Sequence, residues 1–150
     1  MKRITCSSSF NLAMPPEQAI ALFTPEGERL WAGDEWDPNY PVALAADADG
    51  AEPGTVFTTG AEDASTIWVG IVKTESMVTY GRVTPGVAAG LVSVSCVAVG
   101  DRETKVEVVY DASSLSEQGE AFLTDFESGY SAFIASWEKE LHDAIFLEHL

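Results

Sequence analysis

Three side chains in the middle of the sequence, Trp68, Tyr80 and Arg82, could together bind an acidic or carbonyl-bearing small molecule. A guanidinium carries a permanent charge, a phenol donates a hydrogen bond, and an indole offers an aromatic wall. The three share one face of two paired strands if residues 74–76 form a three-residue loop, which places Arg82 near Trp68. That face is either a cavity wall or an ordinary outer surface. The alternative arises because the residues that alternate with Trp68 along its strand are apolar and could face inward instead: Ile67, Val69 and Ile71.

A second group of candidates is aromatic and recurs at helical spacing near the C-terminal end: Phe126, Tyr130, Phe133 and Trp137. Such a stripe is typical of core packing, and some of its members would also line any pocket enclosed beneath the helix. Tyr130 and Tyr110 are the more informative members of the aromatic set, because a buried hydroxyl needs a hydrogen-bonding partner.

The acidic segment Asp34-Glu35-Trp36-Asp37 lies between two predicted elements and would stand near one mouth of such a cavity. Its carboxylates could act as a general acid or base, and Trp36 could cover a ligand. A solvated loop is the alternative interpretation, since neighbouring carboxylates are expected by composition in a chain this acidic.

No sequence motif assigns catalytic residues. The sequence lacks a Gly-x-Ser-x-Gly elbow, a His-Glu-x-x-His pair, a phosphate-binding glycine loop and a cluster of cysteine and histidine. His142 and His149 are distant from other catalytic candidates, and Cys6 and Cys96 are predicted to be buried, reduced thiols. We therefore expect no metal site and no cofactor.

The charge and length of the chain restrict its partners. With 150 residues the sequence predicts a single domain over 1–150, and a formal net charge of −16 disfavours nucleic acid and anionic membranes. No stretch is apolar enough to predict membrane insertion, and the N-terminal residues lack the apolar run of a secretory signal. We expect a cytoplasmic protein with a small hydrophobic or aromatic partner, and a homodimer is one assembly that the sequence allows.

Alternation and turn residues predict a mostly antiparallel sheet. The seven predicted strands are 3–12, 41–46, 54–60, 66–73, 77–84, 89–99 and 103–112. Two short helices are expected between the first two strands, one opened by Pro15-Pro16 and one running from Thr24 to about Trp31, with Gly33 ending the second.

The alternation of the last predicted strand fixes the register of the last hairpin. A three-residue loop over 100–102 places Val94 opposite Val108, whereas a two-residue loop would place it opposite Glu107. We therefore predict the three-residue loop.

A capping box at Ser114-Leu115-Ser116-Glu117 predicts a long C-terminal helix reaching His149. Its predicted apolar stripe comprises Phe122, Phe126, Tyr130, Phe133, Trp137, Leu141, Ala144 and Ile145. A helix with one aromatic face must pack on another layer, and the preceding sheet is the available one. The sequence thus predicts an α+β fold in which a curved sheet wraps around this helix.

This order of elements resembles the helix-grip fold of the START-like (SRPBCC) superfamily. The resemblance covers nearly the whole chain and rests on the following segments: Met14-Pro15-Pro16-Glu17, residues 21–28 with Trp31, 54–57, 80–86 and 104–110. The superfamily includes plant pathogenesis-related allergens, lipid-transfer domains, polyketide cyclases and aromatases, and chaperone co-factor domains. The resemblance implies a cavity between sheet and helix, and it leaves the use of that cavity open.

Three functions are compatible with this interpretation. The first is a binding or carrier domain for a small hydrophobic or aromatic molecule. The second is an enzyme resembling polyketide cyclases, dehydratases and aromatases, in which Arg82, Tyr80 and Tyr110 promote proton transfers. The third is a protein-interaction domain similar to chaperone co-factors, which would use the outer sheet surface or the acidic face of the helix.

Overall fold

The computed structural model describes residues 1–61 and 65–148, which form six strands, two α-helices and two 3-10 helices. The strands are β1 (Arg3–Leu12), β2 (Val56–Thr59), β3 (Thr66–Lys73), β4 (Met77–Thr84), β5 (Ala88–Gly100) and β6 (Glu103–Ser114). The helices are α1 (Pro16–Ile20), the first 3-10 helix (Ala21–Phe23), the second 3-10 helix (Gly27–Leu30) and α2 (Glu117–Glu148).

All six strands belong to one antiparallel sheet in the order β1-β6-β5-β4-β3-β2. The α+β prediction is confirmed, but the prediction of a seventh strand over 41–46 is wrong for the described residues. Asn39 does pair with Thr58 through two backbone hydrogen bonds of 2.9 Å. The next pairing position on that segment is Pro41, which has no N–H to donate, so the ladder stops after one bridge.

The predicted register of the β5–β6 hairpin is confirmed. Val94 lies opposite Val108, and Cys96 lies opposite Val106. The loop differs in detail, because Gly100 pairs with Glu103 and a bulge between Ala98 and Gly100 supplies the extra residue. A two-residue turn with a bulge therefore gives the register that a three-residue loop would give.

The short helices after β1 are less regular than predicted. The first is α-helical only over Pro16–Ile20 and tightens to a 3-10 turn, and the second is entirely 3-10. The prediction of Thr24 as the N-cap is wrong, because the second 3-10 helix begins at Gly27 and its N-cap is Glu26. The Thr24 hydroxyl instead accepts a hydrogen bond of 3.0 Å from the backbone nitrogen of Gly27 in the turn that precedes the helix. Gly33 follows with φ of 95°, which terminates the segment as expected.

The N-terminus of α2 lies two residues later than predicted. Ser114 ends β6, and Ser116 caps the helix by accepting a hydrogen bond of 3.0 Å from the nitrogen of Gly119. The helix extends to Glu148, and the predicted end at His149 lies outside the described residues. Of the helices in the described ranges, none is apolar enough over a sufficient length to cross a membrane.

The buried row of α2 shares Tyr130, Leu141 and Ala144 with the predicted stripe, and it includes Leu123 and Ile134, which the prediction omitted. Its deepest side chains are Leu123, Tyr130, Ile134 and Leu141. Phe122 and Phe133 keep 38% and 37% of their surface exposed, while Phe126 and Trp137 are half-buried. The aromatic row therefore borders the sheet contact instead of forming its centre, which leaves these rings available to line an opening.

Two glycines of α2 provide a matched test of how closely the helix docks. A Cβ at Gly119 would collide with the backbone carbonyl of Val87, whereas a Cβ at Gly129 would meet nothing within 4 Å. We expect Gly129→Ala to stabilise the protein by about 0.5–1 kcal/mol through helix propensity alone. Gly119→Ala is expected to destabilise it by about 1–3 kcal/mol despite the same propensity gain. Urea unfolding of both variants measures the difference, and a stabilising Gly119→Ala would contradict the docking.

Candidate functional site: an aromatic cavity between sheet and helix

A cavity of about 310 Å³ opens between the inner face of the sheet, the 3-10 helices and α2. Its wall comprises Phe23, Glu28, Trp31, Ala32, Trp36, Phe57, Trp68, Tyr80, Arg82, Val92, Val94, Tyr110, Phe126, Phe133, Ser136, Trp137 and Glu140. Ten of these seventeen side chains are aromatic, so the wall is predominantly apolar with a few polar groups. Such a lining and volume are typical of sites for small organic molecules, which occupy about 300–1,000 Å³.

One side of the wall belongs to an aromatic cluster carried by β2, β3, β4 and the loop before them, here called the sheet-side cluster: Trp36, Tyr40, Phe57, Trp68 and Tyr80. All of its members except Tyr40 line the cavity. Phe57 and Trp68 stack with their centroids 5.7 Å apart and their planes 3° from parallel. Tyr80 meets both rings edge-on at 6.1 and 6.2 Å. The indole of Trp68 is fixed by a hydrogen bond of 3.0 Å to the Thr59 hydroxyl. Ring packing and this hydrogen bond together fix the position of the Trp68 indole in the wall.

The other side belongs to a chain of rings centred on α2, here called the helix-side cluster: Phe10, Phe23, Trp31, Tyr110, Phe122, Phe126, Tyr130, Phe133 and Trp137. All of its members except Phe10, Phe122 and Tyr130 line the cavity. Trp137 connects the two halves of this cluster, because its ring lies 5.4 Å from Trp31 and 5.5 Å from Phe133. Trp31 is anchored by a hydrogen bond of 2.7 Å from its indole nitrogen to the Leu22 carbonyl. Both aromatic clusters contribute to one cavity, which suits a planar apolar ligand.

Arg82 is the cation of the cavity. It pairs with Trp68 across β3 and β4, and its guanidinium carbon lies 5.4 Å from the centroid of that indole. Burial lowers the pKa of Arg82, and the nearby Tyr110 hydroxyl acts in the opposite direction. Within the described ranges the guanidinium has neither a hydrogen-bonding nor an ion-pair partner. The sequence left open which face of β3 and β4 lines the cavity. The structure places Trp68 and Arg82 on the cavity side, because Ile67 and Ile71 on the opposite face are 39% and 45% exposed.

Glu28 is the acidic group of the inner wall, and the sequence analysis did not identify it. It stands on the second 3-10 helix, three residues before Trp31, which places both residues near one face of that turn. Burial raises the pKa of its carboxyl well above the ordinary value, so the wall favours the protonated form. The spacing of three residues between Glu28 and Trp31 was the sequence signal that could have placed this acid beside the cavity. The abundance of acids in the sequence obscured it.

The tyrosines divide into anchored and unanchored hydroxyls. Tyr80 donates a hydrogen bond of 2.8 Å to the Phe23 carbonyl, and Tyr130 donates one of 2.6 Å to the Val108 carbonyl. Tyr110 lines the cavity without a hydrogen-bonding partner in the described part of the chain, and burial raises its pKa. Tyr130 is the one candidate ligand contact that the structure does not place in the cavity wall, because its hydroxyl is directed at β6.

The acidic loop 34–37 contributes its indole to the cavity and leaves its carboxylates outside. Trp36 is half-buried, and its indole nitrogen donates a hydrogen bond of 2.9 Å to the Pro25 carbonyl. Asp34 and Glu35 are exposed, and Asp37 forms an ion pair of 3.2 Å with Arg29. The carboxylates of this loop are thus absent from the cavity wall, whereas Glu28 and Glu140 belong to it.

Solved structures provide the comparison. The norcoclaurine synthase of Thalictrum flavum, a point mutant in complex with a transition-state analogue, matches with a TM-score of 0.65 and 11% identity over 99% of this chain and 96% of that chain. The Zhui aromatase/cyclase of a Streptomyces species matches with a TM-score of 0.62 and 11% identity over 95% and 94% of the two chains. The chain has the START-like helix-grip fold.

Other START-like neighbours differ widely in function. An HSP90 activator of Plasmodium falciparum matches with a TM-score of 0.50 and 16% identity over 71% of each chain. No protein-family model matches the sequence, and no curated protein sequence matches it significantly. These identities support the START-like fold alone, so the function has to be argued from the cavity.

Glu28 predicts a pH-dependent stability. Because its pKa is raised on folding, wild type loses stability as pH rises from about 4.3, the ordinary glutamate pKa, through the folded value. Glu28→Gln removes this loss. We expect its advantage to be absent at low pH and to grow with pH to a plateau, by about 1.4 kcal/mol for each unit of the pKa increase.

Urea unfolding at several pH values measures the effect of Glu28→Gln. Glu35→Gln, which removes an exposed acid from the following loop, is the matched control. A variant whose stability follows that of wild type at every pH would contradict the burial of Glu28.

Proposed function

We propose that the chain is a binding or carrier domain for a small hydrophobic or aromatic molecule held between the sheet and α2. The observation that carries the proposal is the cavity of about 310 Å³ with aromatic rings on both sides. An engineered apolar cavity of about 150 Å³ accommodates benzene, so this volume fits a ligand with about two fused rings. A norcoclaurine synthase of the same fold has been solved with a transition-state analogue, which supports a ligand-binding use of the fold.

Two measurements test the proposal. Native mass spectrometry of protein purified from its host is expected to show a retained small organic molecule. Added 2-naphthamide, a neutral two-ring probe, is expected to raise the Tm in a concentration-dependent manner, because a ligand that binds only the folded state stabilises it. A ligand-free mass spectrum together with an unchanged Tm would contradict the proposed function.

An enzyme resembling polyketide cyclases is the second candidate. It is favoured by three polar groups that meet in one apolar cavity, namely Glu28, Arg82 and Tyr110. A carboxyl whose pKa is raised by burial is a candidate general acid, and an arginine stabilises a developing enolate. Mass spectrometry of candidate poly-ketone substrates after incubation separates the two functions, because a carrier returns its ligand unchanged.

A protein-interaction domain remains the third alternative, supported by the fold it shares with the HSP90 activator. A stable partner in a pull-down that is lost at high salt would favour it over a carrier. The expected cytoplasmic location and the homodimer stay predictions.

A further inference from the structure

The positive charges of this chain are few, and most of them are paired with acids. Five of the eight lysines and arginines form ion pairs: Lys2, Arg3, Arg29, Lys73 and Lys139. Two of the others, Arg102 and Lys105, are exposed to solvent. Arg82 alone combines a place in the cavity wall with the absence of a described partner.

That arrangement is unusual for a chain with 24 acids and 8 bases. An unpaired guanidinium taken out of water is destabilising unless a counter-charge or hydrogen-bond acceptors replace its hydration. The stacked indole of Trp68 covers one face of Arg82 and accepts no hydrogen bond from its N–H groups. Those donors are left for a group that enters the cavity.

The other titratable groups of the wall do not neutralise Arg82. Glu28 forms no ion pair with it among the described residues, and burial favours the uncharged carboxyl. Tyr80 and Tyr110 have raised pKa values and stay neutral, while Glu140 on α2 is exposed at the cavity edge. The interior of the cavity is therefore positive within a strongly negative protein.

We infer that the ligand is an aromatic acid whose anionic group binds the guanidinium of Arg82 while its rings lie between the two aromatic clusters. This inference rests on the proposed function and adds the chemical class of the ligand. The overall charge of −16 repels small inorganic anions. An aromatic acid gains apolar contacts between its rings and the cavity wall, which offset this repulsion and which a bare anion lacks. Planar bidentate contact between a guanidinium and a carboxylate also sets the orientation of the ligand.

Isothermal titration with two probes of the same shape tests the inference. Wild type is expected to bind 2-naphthoate at least about tenfold more tightly than 2-naphthamide, since hydrogen bonds to charged groups exceed neutral ones. Equal affinities would overturn the ligand class and leave the proposed function intact. If neither probe binds, the proposed function and the inference both fail.

Variants then assign the preference to one side chain. Arg82→Gln is expected to lose at least about tenfold in affinity for 2-naphthoate and to lose less for 2-naphthamide, because a hydrogen bond to the uncharged amide contributes less than one to the carboxylate. Arg102→Gln removes the same charge from the exposed tip of the β5–β6 hairpin and is expected to change neither affinity. An equal loss for both probes in Arg82→Gln, or the same loss in Arg102→Gln, would overturn the inference. The comparison of the two probes on wild type needs no variant to fold.

Discussion

Replacing Phe57 with alanine is expected to lower the free energy of unfolding by about 3–5 kcal/mol, the largest effect on stability that we predict. The ring is 1% exposed and packs against Trp36, Tyr40, Trp68 and Tyr80. It is the member of the sheet-side cluster that contacts all the others, so its removal leaves a void and loosens that wall of the cavity.

Urea unfolding with a single fitted m-value measures the loss. Phe146→Ala is the matched control, because Phe146 is 80% exposed near the end of α2. Its change is expected to stay within about 0.5 kcal/mol, as for other surface positions. If Phe57→Ala costs no more than Phe146→Ala, the sheet-side cluster is not packed as described.

Replacing Ala32 with tryptophan is expected to reduce the affinity for 2-naphthamide at least tenfold, which corresponds to about 1.4 kcal/mol. Ala32 is half-buried in the cavity wall, two residues after the end of the second 3-10 helix at Leu30. An indole at this position would fill space that a two-ring ligand needs, while the surrounding aromatic rings offer it apolar contacts.

Titration of the variant with 2-naphthamide measures the effect, and its Tm shows whether it folds. Ala132→Trp introduces the same side chain on the exposed face of α2 and is expected to bind as wild type does. Unchanged binding by Ala32→Trp would place the ligand somewhere other than this cavity.

Much of the sheet could be predicted from sequence because alternation and turn residues report it directly. The bounds of β3 and β4 agree with prediction, and the register of the last hairpin followed from matching apolar faces. The prediction of a strand over 41–46 was wrong because it relied on the apolar composition of the segment. Strand formation there depends instead on pairing at the sheet edge, which needs a backbone N–H that Pro41 lacks.

The aromatic part of the cavity wall was predicted in seven of its ten members, whereas Phe23, Trp31 and Phe57 and the acid Glu28 were missed. Eight of the nine predicted contacts lie in the wall, because aromatic residues on inward faces must meet between sheet and helix. Tyr130 was misplaced because its position on the helix does not reveal that its hydroxyl bonds to Val108. Glu28 was missed because its spacing from Trp31 does not distinguish it from the other acids of a sequence that contains 24 of them.

The position of the four tryptophans offers the most direct test of the ligand-binding cavity. The sequence contains four, and all of them line it: Trp31, Trp36, Trp68 and Trp137. Their indole N–H groups give separate signals in a proton–nitrogen NMR spectrum, so the whole lining can be followed while 2-naphthamide is added. We predict that the chemical shifts of these indole signals change on addition of the probe and that all of them saturate at the same ratio of probe to protein. Indole signals that stay unchanged while the probe is added to excess would contradict the proposal that this cavity binds an aromatic molecule.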